Sequence, residues 1–132
     1  MDEHSIYKLM SSVKSKNSKA ELMVFSYLRK HGVYFQKHYT RALGKPDIAL
    51  PRKKKAVFID GDFWHGKDYK KREPQLNQYW REKVIKNMQR DKLQSQILRE
   101  NGWSVIRVWE SDINRKRTRE TELQKIKDFL LS

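Results

Sequence analysis

Residues 44–66 read GKPDIALPRKKKAVFIDGDFWHG. Two short apolar runs, residues 47–50 and 56–59, flank a turn that starts at Pro51 and carries four basic residues. Apolar runs of this length on either side of a proline-led polar turn predict a β-hairpin. This hairpin is the feature around which the rest of the chain is organised.

Acidic side chains and a histidine gather at one end of the predicted hairpin. In an antiparallel pair, Asp47 at the start of the first strand lies beside Ile59 and Asp60 at the end of the second. Asp62 and His65 follow shortly after. Carboxylate oxygens are hard ligands of the kind that Mg²⁺ prefers. The hairpin therefore predicts a magnesium site at its open end.

Length and composition limit the class of protein. The chain has 132 residues, and we expect residues 1–132 to form a single domain that buries its own core. It contains no cysteine, so disulfides and thiolate zinc sites are excluded. No apolar run approaches the roughly 20 residues needed to cross a bilayer, and the N-terminus lacks a signal-peptide pattern. These features predict a cytoplasmic protein without a membrane partner.

The charge of the chain indicates a polyanionic partner. Thirty Lys and Arg against sixteen Asp and Glu give a formal net charge of +14. Nucleic acid is the usual partner of such a surface, because phosphates relieve the self-repulsion and release counterions. Charge alone also fits ribosomal, RNA-binding and membrane-surface proteins, so the distinction depends on the hairpin.

The first helix has clear boundaries in the sequence. Ser18 and Glu21 form an S-x-x-E capping box, and Gly32 is a helix stop. These signals predict a helix over residues 18–31. The predicted apolar face consists of Leu22, Phe25 and Leu28.

The other elements follow from periodicity. Residues 33–38 are β-prone, residues 65–78 form a polar loop, residues 79–101 form a long helix, residues 103–109 alternate as a strand, and a last helix starts at about Thr118. The element order is then α, β, β, β, α, β, α. Apolar positions predicted on the long helix are Val84, Ile85, Met88, Leu93, Ile97 and Leu98, and those on the last helix are Leu123, Ile126 and Leu130.

The N-terminal segment has few apolar residues. Residues 1–17 are polar and basic. This composition predicts an arm that is either flexible or clamps DNA.

The longer pattern around the hairpin resembles a known family. The stretch at residues 44–66 is preceded by KSKNSKAE and followed by QYWREKVIKNMQRDKLQSQILRENGWSVIRVWE. In this order and at this spacing, these segments resemble the very-short-patch-repair (Vsr) endonucleases, small members of the PD-(D/E)XK nuclease superfamily. The similarity runs from about Ser12 to Glu110. It implies a three-layer α/β/α restriction-endonuclease-like domain with a central mixed β-sheet.

The resemblance assigns roles to five residues. It implies that Asp47 binds Mg²⁺ at the scissile phosphate, and that the backbone carbonyl of Ile59 is a further ligand. His65 matches the catalytic histidine, which takes a proton from the attacking water or orients it. Glu21 matches a glutamate that approaches the site, although a purely structural capping role fits it equally well. The resemblance implies one or two Mg²⁺ ions in the site. Asp60 replaces a second histidine and is expected to bind Mg²⁺ or to orient water. The alternative is that Asp60 points away and forms an ion pair with a lysine of the basic loops.

A second difference from well-known members concerns zinc. Asp62 replaces a cysteine that helps to bind a structural zinc in those members, so no structural zinc is expected. Residues 66–78 must then be held by packing or ordered by DNA, and we expect them to be mobile in the free protein.

The resemblance also predicts the residues that contact DNA. Phe63, Trp64 and Trp80 match aromatics that wedge between base pairs beside a mismatch. Exposure of Phe63 and Trp64 in a loop between two glycines would suit that role. The basic residues expected at DNA are Lys67, Lys70, Lys71, Arg72 and Lys83.

The implied reaction is hydrolysis of a phosphodiester bond in double-stranded DNA. In this family the product is a nick in one strand with a 5′-phosphate, next to a T:G mismatch. The alternatives are a Vsr-like restriction or phage-defence nuclease without mismatch specificity, and a structure-specific DNA-binding module that does not cleave. The resemblance also suggests mismatch-repair proteins or a DNA methyltransferase system as partners, and the small domain predicts a monomer.

Overall fold

The elements are those of a computed structural model that describes residues 18–132. The predicted arm, residues 1–17, lies outside the described residues. Two 3₁₀ turns, Pro51–Lys53 and Glu73–Gln75, join neighbouring elements. The helices and strands in chain order are α1 (Lys19–Lys30), β1 (Gln36–Lys37), β2 (Ile48–Leu50), β3 (Lys55–Asp60), α2 (Tyr69–Arg72), α3 (Gln78–Glu100), β4 (Ser104–Trp109), α4 (Glu110–Asn114) and α5 (Lys116–Leu131).

Helix α1 begins and ends close to its predicted limits. The Oγ of Ser18 accepts a hydrogen bond from the backbone amide of Glu21 at 3.2 Å, which satisfies one of the free amides of the first turn. Gly32, with a φ of +69°, follows the C-cap. The prediction that Leu22 is buried is wrong, because the helix turns a neighbouring stripe to the core and leaves Leu22 53% exposed. The buried apolar stripe consists of Ala20, Val24, Phe25 and Leu28.

The predicted hairpin is confirmed. Strands β2 and β3 pair antiparallel, with Ile48 opposite Val57. The 3₁₀ turn at Pro51–Lys53 makes the connection. This register places Asp47, just before β2, beside the end of β3, where Asp60 is the last strand residue.

The sheet is mixed and has four strands in the order β1-β2-β3-β4. β1 pairs antiparallel with β2, whereas β3 and β4 pair parallel. The connection from β3 to β4 contains the helix α3. All six residues of β3 are buried, as expected for the central strand of a sheet that is covered on both faces. β1 is shorter than the predicted run over residues 33–38, since only Gln36–Lys37 pair with β2.

Helices cover both faces of the sheet. Val57 and Ile59 of β3 join the main core with α1, α4 and α5. Ala56 and Phe58, which alternate with them, pack on the other face against Leu98 of α3. The predicted three layers are therefore confirmed. The last helix starts at Lys116, two residues earlier than expected, and its predicted core positions are all buried, namely Leu123, Ile126 and Leu130.

The inner face of α3 is more polar than its sequence pattern predicts. Val84 and Leu98 are buried as expected, but Asp91 and Ser95 are buried on the same stripe. Asp91 lines a cavity and bonds to His65, and the hydroxyl of Ser95 accepts a hydrogen bond from Arg107. The prediction that Ile85, Met88 and Leu93 belong to the buried apolar face is wrong, because these side chains are 39%, 37% and 55% exposed.

The polar segment at residues 65–78 contains structure that the sequence did not predict. It forms α2 and the 3₁₀ turn at Glu73–Gln75. Phe63, Leu76 and Val84 make a buried cluster beneath it, so widely spaced apolar side chains attach the segment to α3. None of the helices in residues 18–132 is long and apolar enough to cross a membrane.

Candidate active site

A cavity of about 550 Å³ opens between the ends of β2 and β3 and the inner face of α3. Five predicted site residues line it together, because the hairpin and α1 bring them to one place. Three further acidic or imidazole residues that sequence reasoning missed also line the cavity. The predicted residues are Glu21, Asp47, Ile59, Asp60 and His65, and the missed ones are His38, Asp91 and Glu110.

Asp47 is held at the open end of the hairpin. Its Oδ2 accepts a hydrogen bond from the backbone amide of Ile59 at 2.7 Å, which confirms the predicted proximity of these two residues. Burial raises the pKa of Asp47 to about 7, and the charges of Glu21, Asp60 and Glu110 add to the rise although the hydrogen bond from Ile59 opposes it. A buried carboxylate among other acids is stabilised by a cation.

His38 enters the cavity next to Glu21. Its Nε2 lies 3.4 Å from the Glu21 Oε2, and its backbone amide donates to the Asp47 carbonyl at 2.8 Å. The backbone amide of Glu21 donates to the Ser18 cap, whereas the Glu21 side chain faces the cavity, so a place in the capped first turn and a place in the site are compatible. His38 gave no sequence signal, because a lone histidine after a β-prone run is most often a packing or surface residue.

Asp60 faces the cavity, but an arginine neutralises it. Arg107 of β4 donates through Nη1 to both carboxylate oxygens of Asp60, at 3.0 and 3.2 Å. The alternative prediction of an ion pair with a loop lysine is wrong, because the parallel pairing of β3 and β4 brings the arginine alongside. Burial raises the pKa of Asp60 in spite of the charges of His65 and Arg107, which lower it.

His65 is oriented by two carboxylates. Its Nδ1 is hydrogen-bonded to Asp91 of α3 and lies 3.8 Å from the Asp60 Oδ1. Burial lowers the pKa of His65, but the hydrogen bond to Asp91 and the charges of Asp60 and Asp91 outweigh it and raise that pKa above its usual value. Asp91 could have been noticed as a carboxylate seven residues from both Val84 and Leu98, on the buried side of α3.

Two sets of side chains in the described residues could hold a metal ion. In each set, one ligand atom per residue lies within 4.8 Å of the others. Buried, mutually repelling carboxylates are the chemistry that a divalent cation neutralises, so the donor set fits a metal. The two sets are Glu21, His38 and Asp47, and Asp60, His65 and Asp91.

Comparison with known proteins identifies the family. The sequence model described as DNA mismatch endonuclease Vsr matches residues 1–71, slightly more than half of the 132 residues. The chain belongs to the Vsr family. As a Vsr-family protein, it is a DNA endonuclease.

Several named relatives match most of the chain. It is 36% identical to the type II nicking enzyme V.NmeDIP of Neisseria meningitidis serogroup C, with 84% of this chain and 77% of the relative covered. It is 38% identical to the type II nicking enzyme V.HpaIIP of Haemophilus parainfluenzae, with 80% and 77% covered. The DNA mismatch endonuclease Vsr of Escherichia coli (strain K12) is 30% identical, with 83% and 71% covered.

Asp62 ties the segment after the Vsr-like FWHG motif to the body of the protein. The Asp62 Oδ1 accepts a hydrogen bond from the Ser111 amide at 3.2 Å, at the start of α4. Lys67 bonds to the Ser111 hydroxyl at 2.5 Å and lies 3.4 Å from Asp112 and 3.9 Å from Asp62. These contacts hold the segment against the start of α4. The ammonium of Lys67, which was predicted to contact DNA, therefore contacts Ser111, Asp112 and Asp62 of the protein itself.

The predicted wedge aromatics differ in exposure. The expectation that Phe63 is exposed is wrong, because Leu76 and Val84 cover it and leave 2% of it accessible. Trp64 and Trp80 are half-buried at the edge of the same cluster. The Nζ of Lys83 lies 5.3 Å from the centre of the Trp64 ring.

The basic residues that were predicted to contact DNA also differ in exposure. Lys70 and Lys71 are exposed, whereas Arg72 lies over the Phe63 ring at 5.9 Å. DNA contact by any of these residues stays a prediction.

Proposed function

We propose that this Vsr-family endonuclease nicks one strand of duplex DNA next to a T:G mismatch by Mg²⁺-dependent hydrolysis. The observation that carries the proposal is the cavity that joins buried Asp47, Glu21 and Asp60 to an oriented histidine, His65. A binding module without hydrolytic activity gains nothing from buried acids that face a polyanion.

The residues that would hold the metal are Asp47, Glu21, the Ile59 carbonyl and Asp60. A bound Mg²⁺ would stabilise negative charge on the phosphate and on the attacking and leaving oxygens. Asp47 is suited to this role because its carboxylate is fixed by the 2.7 Å hydrogen bond from the Ile59 amide. Asp60 is fixed by Arg107 and can orient water or share in metal binding.

His65 supplies the proton chemistry. Because its Nδ1 is engaged by Asp91, Nε2 is the ring nitrogen left to accept a proton from the attacking water. The two carboxylates beside the ring stabilise the imidazolium that this transfer forms.

The substitution His65→Asn tests that role. It removes the proton acceptor and is expected to lower the single-turnover cleavage rate by about 10²-fold, the lower range for loss of a general base. His31→Asn is the matched control, since His31 is exposed, lies outside the cavity and contacts Tyr27 of its own helix. Equal rates for the two variants would remove His65 from the mechanism.

The surface around the cavity suits duplex DNA. The chain carries a formal charge of +14, and Lys70 and Lys71 are exposed on α2 beside the aromatic cluster. Trp64 and Trp80 at the edge of that cluster can open a base step, which costs least where a mismatch has already weakened pairing. These features support mismatch recognition by Trp64 and Trp80, at the edge of that cluster.

A cleavage assay on end-labelled duplexes tests the proposed function. Duplexes with a central T:G mismatch are compared with matched T:A and C:G duplexes, with Mg²⁺ or with EDTA. We expect a single-strand nick in the T:G duplex that requires Mg²⁺. Equal cutting of all three duplexes would retain the nuclease and reject mismatch specificity, as the names of the type II nicking relatives would allow. Tight binding without cleavage would reject the hydrolytic proposal.

A further inference from the structure

His38 is the one imidazole of the cavity for which the Vsr resemblance gives no role. It lies after β1 and reaches the same space as Asp47 and Glu21. One ligand atom from each of these three residues lies within 4.8 Å of the other two. A nitrogen donor is thereby placed in what is otherwise an all-carboxylate set.

The spacing of these donors suits a shared ion better than a direct hydrogen bond. The 3.4 Å between the His38 Nε2 and the Glu21 Oε2 exceeds the usual N–H···O distance of about 2.9 Å. Two adjacent ligands on one ion, each about 2.1 Å from it and at right angles, are about 3 Å apart. The observed spacing is therefore close to that of neighbouring ligands.

His38 is also held in place by one backbone contact and two contacts of its ring. The backbone amide of His38 donates to the Asp47 carbonyl at 2.8 Å, which fixes the chain. The ring meets Phe25 edge-on, with centroids 5.7 Å apart and an interplanar angle of 88°. The third contact is the one with Glu21, whose side chain is 9% exposed. A pre-positioned ligand loses little freedom when an ion binds.

The Asp47 carboxylate has no basic partner within the described part of the chain, residues 18–132. Among residues 18–132, no lysine or arginine nitrogen is paired with its carboxylate within 4.0 Å. The other candidate set differs in this respect, because Asp60 is bonded to Arg107 at 3.0 Å and Asp91 engages His65. A divalent ion would neutralise the Asp47 carboxylate without displacing such a pair.

We propose that His38 binds the catalytic metal directly through Nε2, together with Asp47 and Glu21, and that it makes the site prefer Mn²⁺ to Mg²⁺. Mg²⁺ favours oxygen ligands and water. An imidazole nitrogen strengthens the binding of divalent transition-metal ions such as Mn²⁺ more than that of Mg²⁺. This inference rests on the metal-dependent function proposed above. It concerns metal binding without DNA, so it can fail or succeed independently of cleavage specificity.

Metal titrations without DNA measure the preference. Free Mn²⁺ is followed by its electron paramagnetic resonance signal, and Mg²⁺ binding is measured by competition. We expect the unmodified protein to bind Mn²⁺ at least about tenfold more tightly than Mg²⁺, and His38→Gln to remove most of that advantage while changing Mg²⁺ affinity much less. His31→Gln, at an exposed position outside the cavity, should behave as the unmodified protein.

A spectroscopic signature separates a ligand from a neighbour. Electron spin-echo modulation of bound Mn²⁺ detects the ¹⁴N nucleus of a coordinated imidazole. The modulation should be present in the unmodified protein and in His65→Gln, and lost in His38→Gln. Circular dichroism shows whether each variant is folded. Modulation that persists in His38→Gln, or Mn²⁺ affinity that is equal in the unmodified protein and His38→Gln, would overturn the proposal.

Discussion

Asp47→Asn is expected to lower the single-turnover rate of DNA cleavage by about 10³-fold to 10⁴-fold, which corresponds to the several kcal/mol that a catalytic metal supplies. The amide keeps an oxygen that can accept the hydrogen bond from Ile59, so the hairpin end should keep its shape. What is lost is the negative charge that attracts the cation. DNA affinity in EDTA should stay close to that of the unmodified protein, and a variant that cleaves at the unmodified rate would contradict the assigned ligand.

The same substitution should stabilise the metal-free protein. The pKa of Asp47 rises from 3.8 to about 7 on folding, mainly through burial. The contribution of the Asp47 carboxyl to the free energy of unfolding is therefore fully present below pH 3.8 and is lost as the pH rises towards 7. Since one pKa unit is worth about 1.4 kcal/mol, Asp47→Asn should unfold with a free energy higher by up to roughly 4 kcal/mol at pH 8 in EDTA. Urea unfolding at several pH values measures this gap.

Magnesium provides the control for that measurement. Saturating Mg²⁺ should raise the melting temperature of the unmodified protein and have little effect on Asp47→Asn, because binding stabilises only the folded state that holds the ion. A gap that is independent of both pH and metal would show that burial of the charge is not its cause.

Arg107→Met is expected to destabilise the protein by about 3–5 kcal/mol, the usual cost of leaving a buried charge unpaired. Arg107 donates to both oxygens of Asp60, to the Ser95 hydroxyl at 2.8 Å and to the Asp91 carbonyl at 3.3 Å. Its guanidinium also lies 4.0 Å from the centre of the Phe58 ring. Methionine retains part of the apolar stem but leaves two acidic residues facing each other.

A double substitution separates lost charge from lost packing. Asp60→Asn combined with Arg107→Met removes the unpaired charge, and we expect it to recover a large part of the stability lost in Arg107→Met. Arg107→Lys should fall between, because an ammonium cannot reproduce the planar fork of donors. Chemical unfolding gives each value. Equal stability of Arg107→Met and the unmodified protein would show that Asp60 does not depend on this arginine.

The parts of the fold that the sequence predicts are the local ones. The Ser18 cap, the turn at Pro51–Lys53 and the alternation of β4 are each set by residues close together in the chain. The hairpin also predicts that Asp47 meets Ile59, since one turn fixes the register of both strands. These features need no knowledge of how the sheet is packed.

The parts of the site that the sequence does not predict depend on distant pairing. Arg107 reaches Asp60 because β3 and β4 are parallel neighbours across α3, and periodicity within a strand does not reveal its partner. The spacing of Asp91 from Val84 and Leu98 places it on the buried side of α3, but it does not reveal that Asp91 meets His65, 26 residues away in the chain. Phe63 has the same aromatic character as Trp64, and only the packing of Leu76 and Val84 decides that it is the buried one.

The central claim is that water, activated beside His65 and Asp47, attacks a DNA phosphate. Cleavage of the T:G duplex in H₂¹⁸O with Mg²⁺, stopped within one turnover and analysed by mass spectrometry of both fragments, tests it most directly. We expect one ¹⁸O atom in the 5′-phosphate and an unlabelled 3′-hydroxyl, because the new bond forms at phosphorus and the 3′-oxygen leaves. Label in a 3′-terminal group, or no cleavage at all, would contradict it.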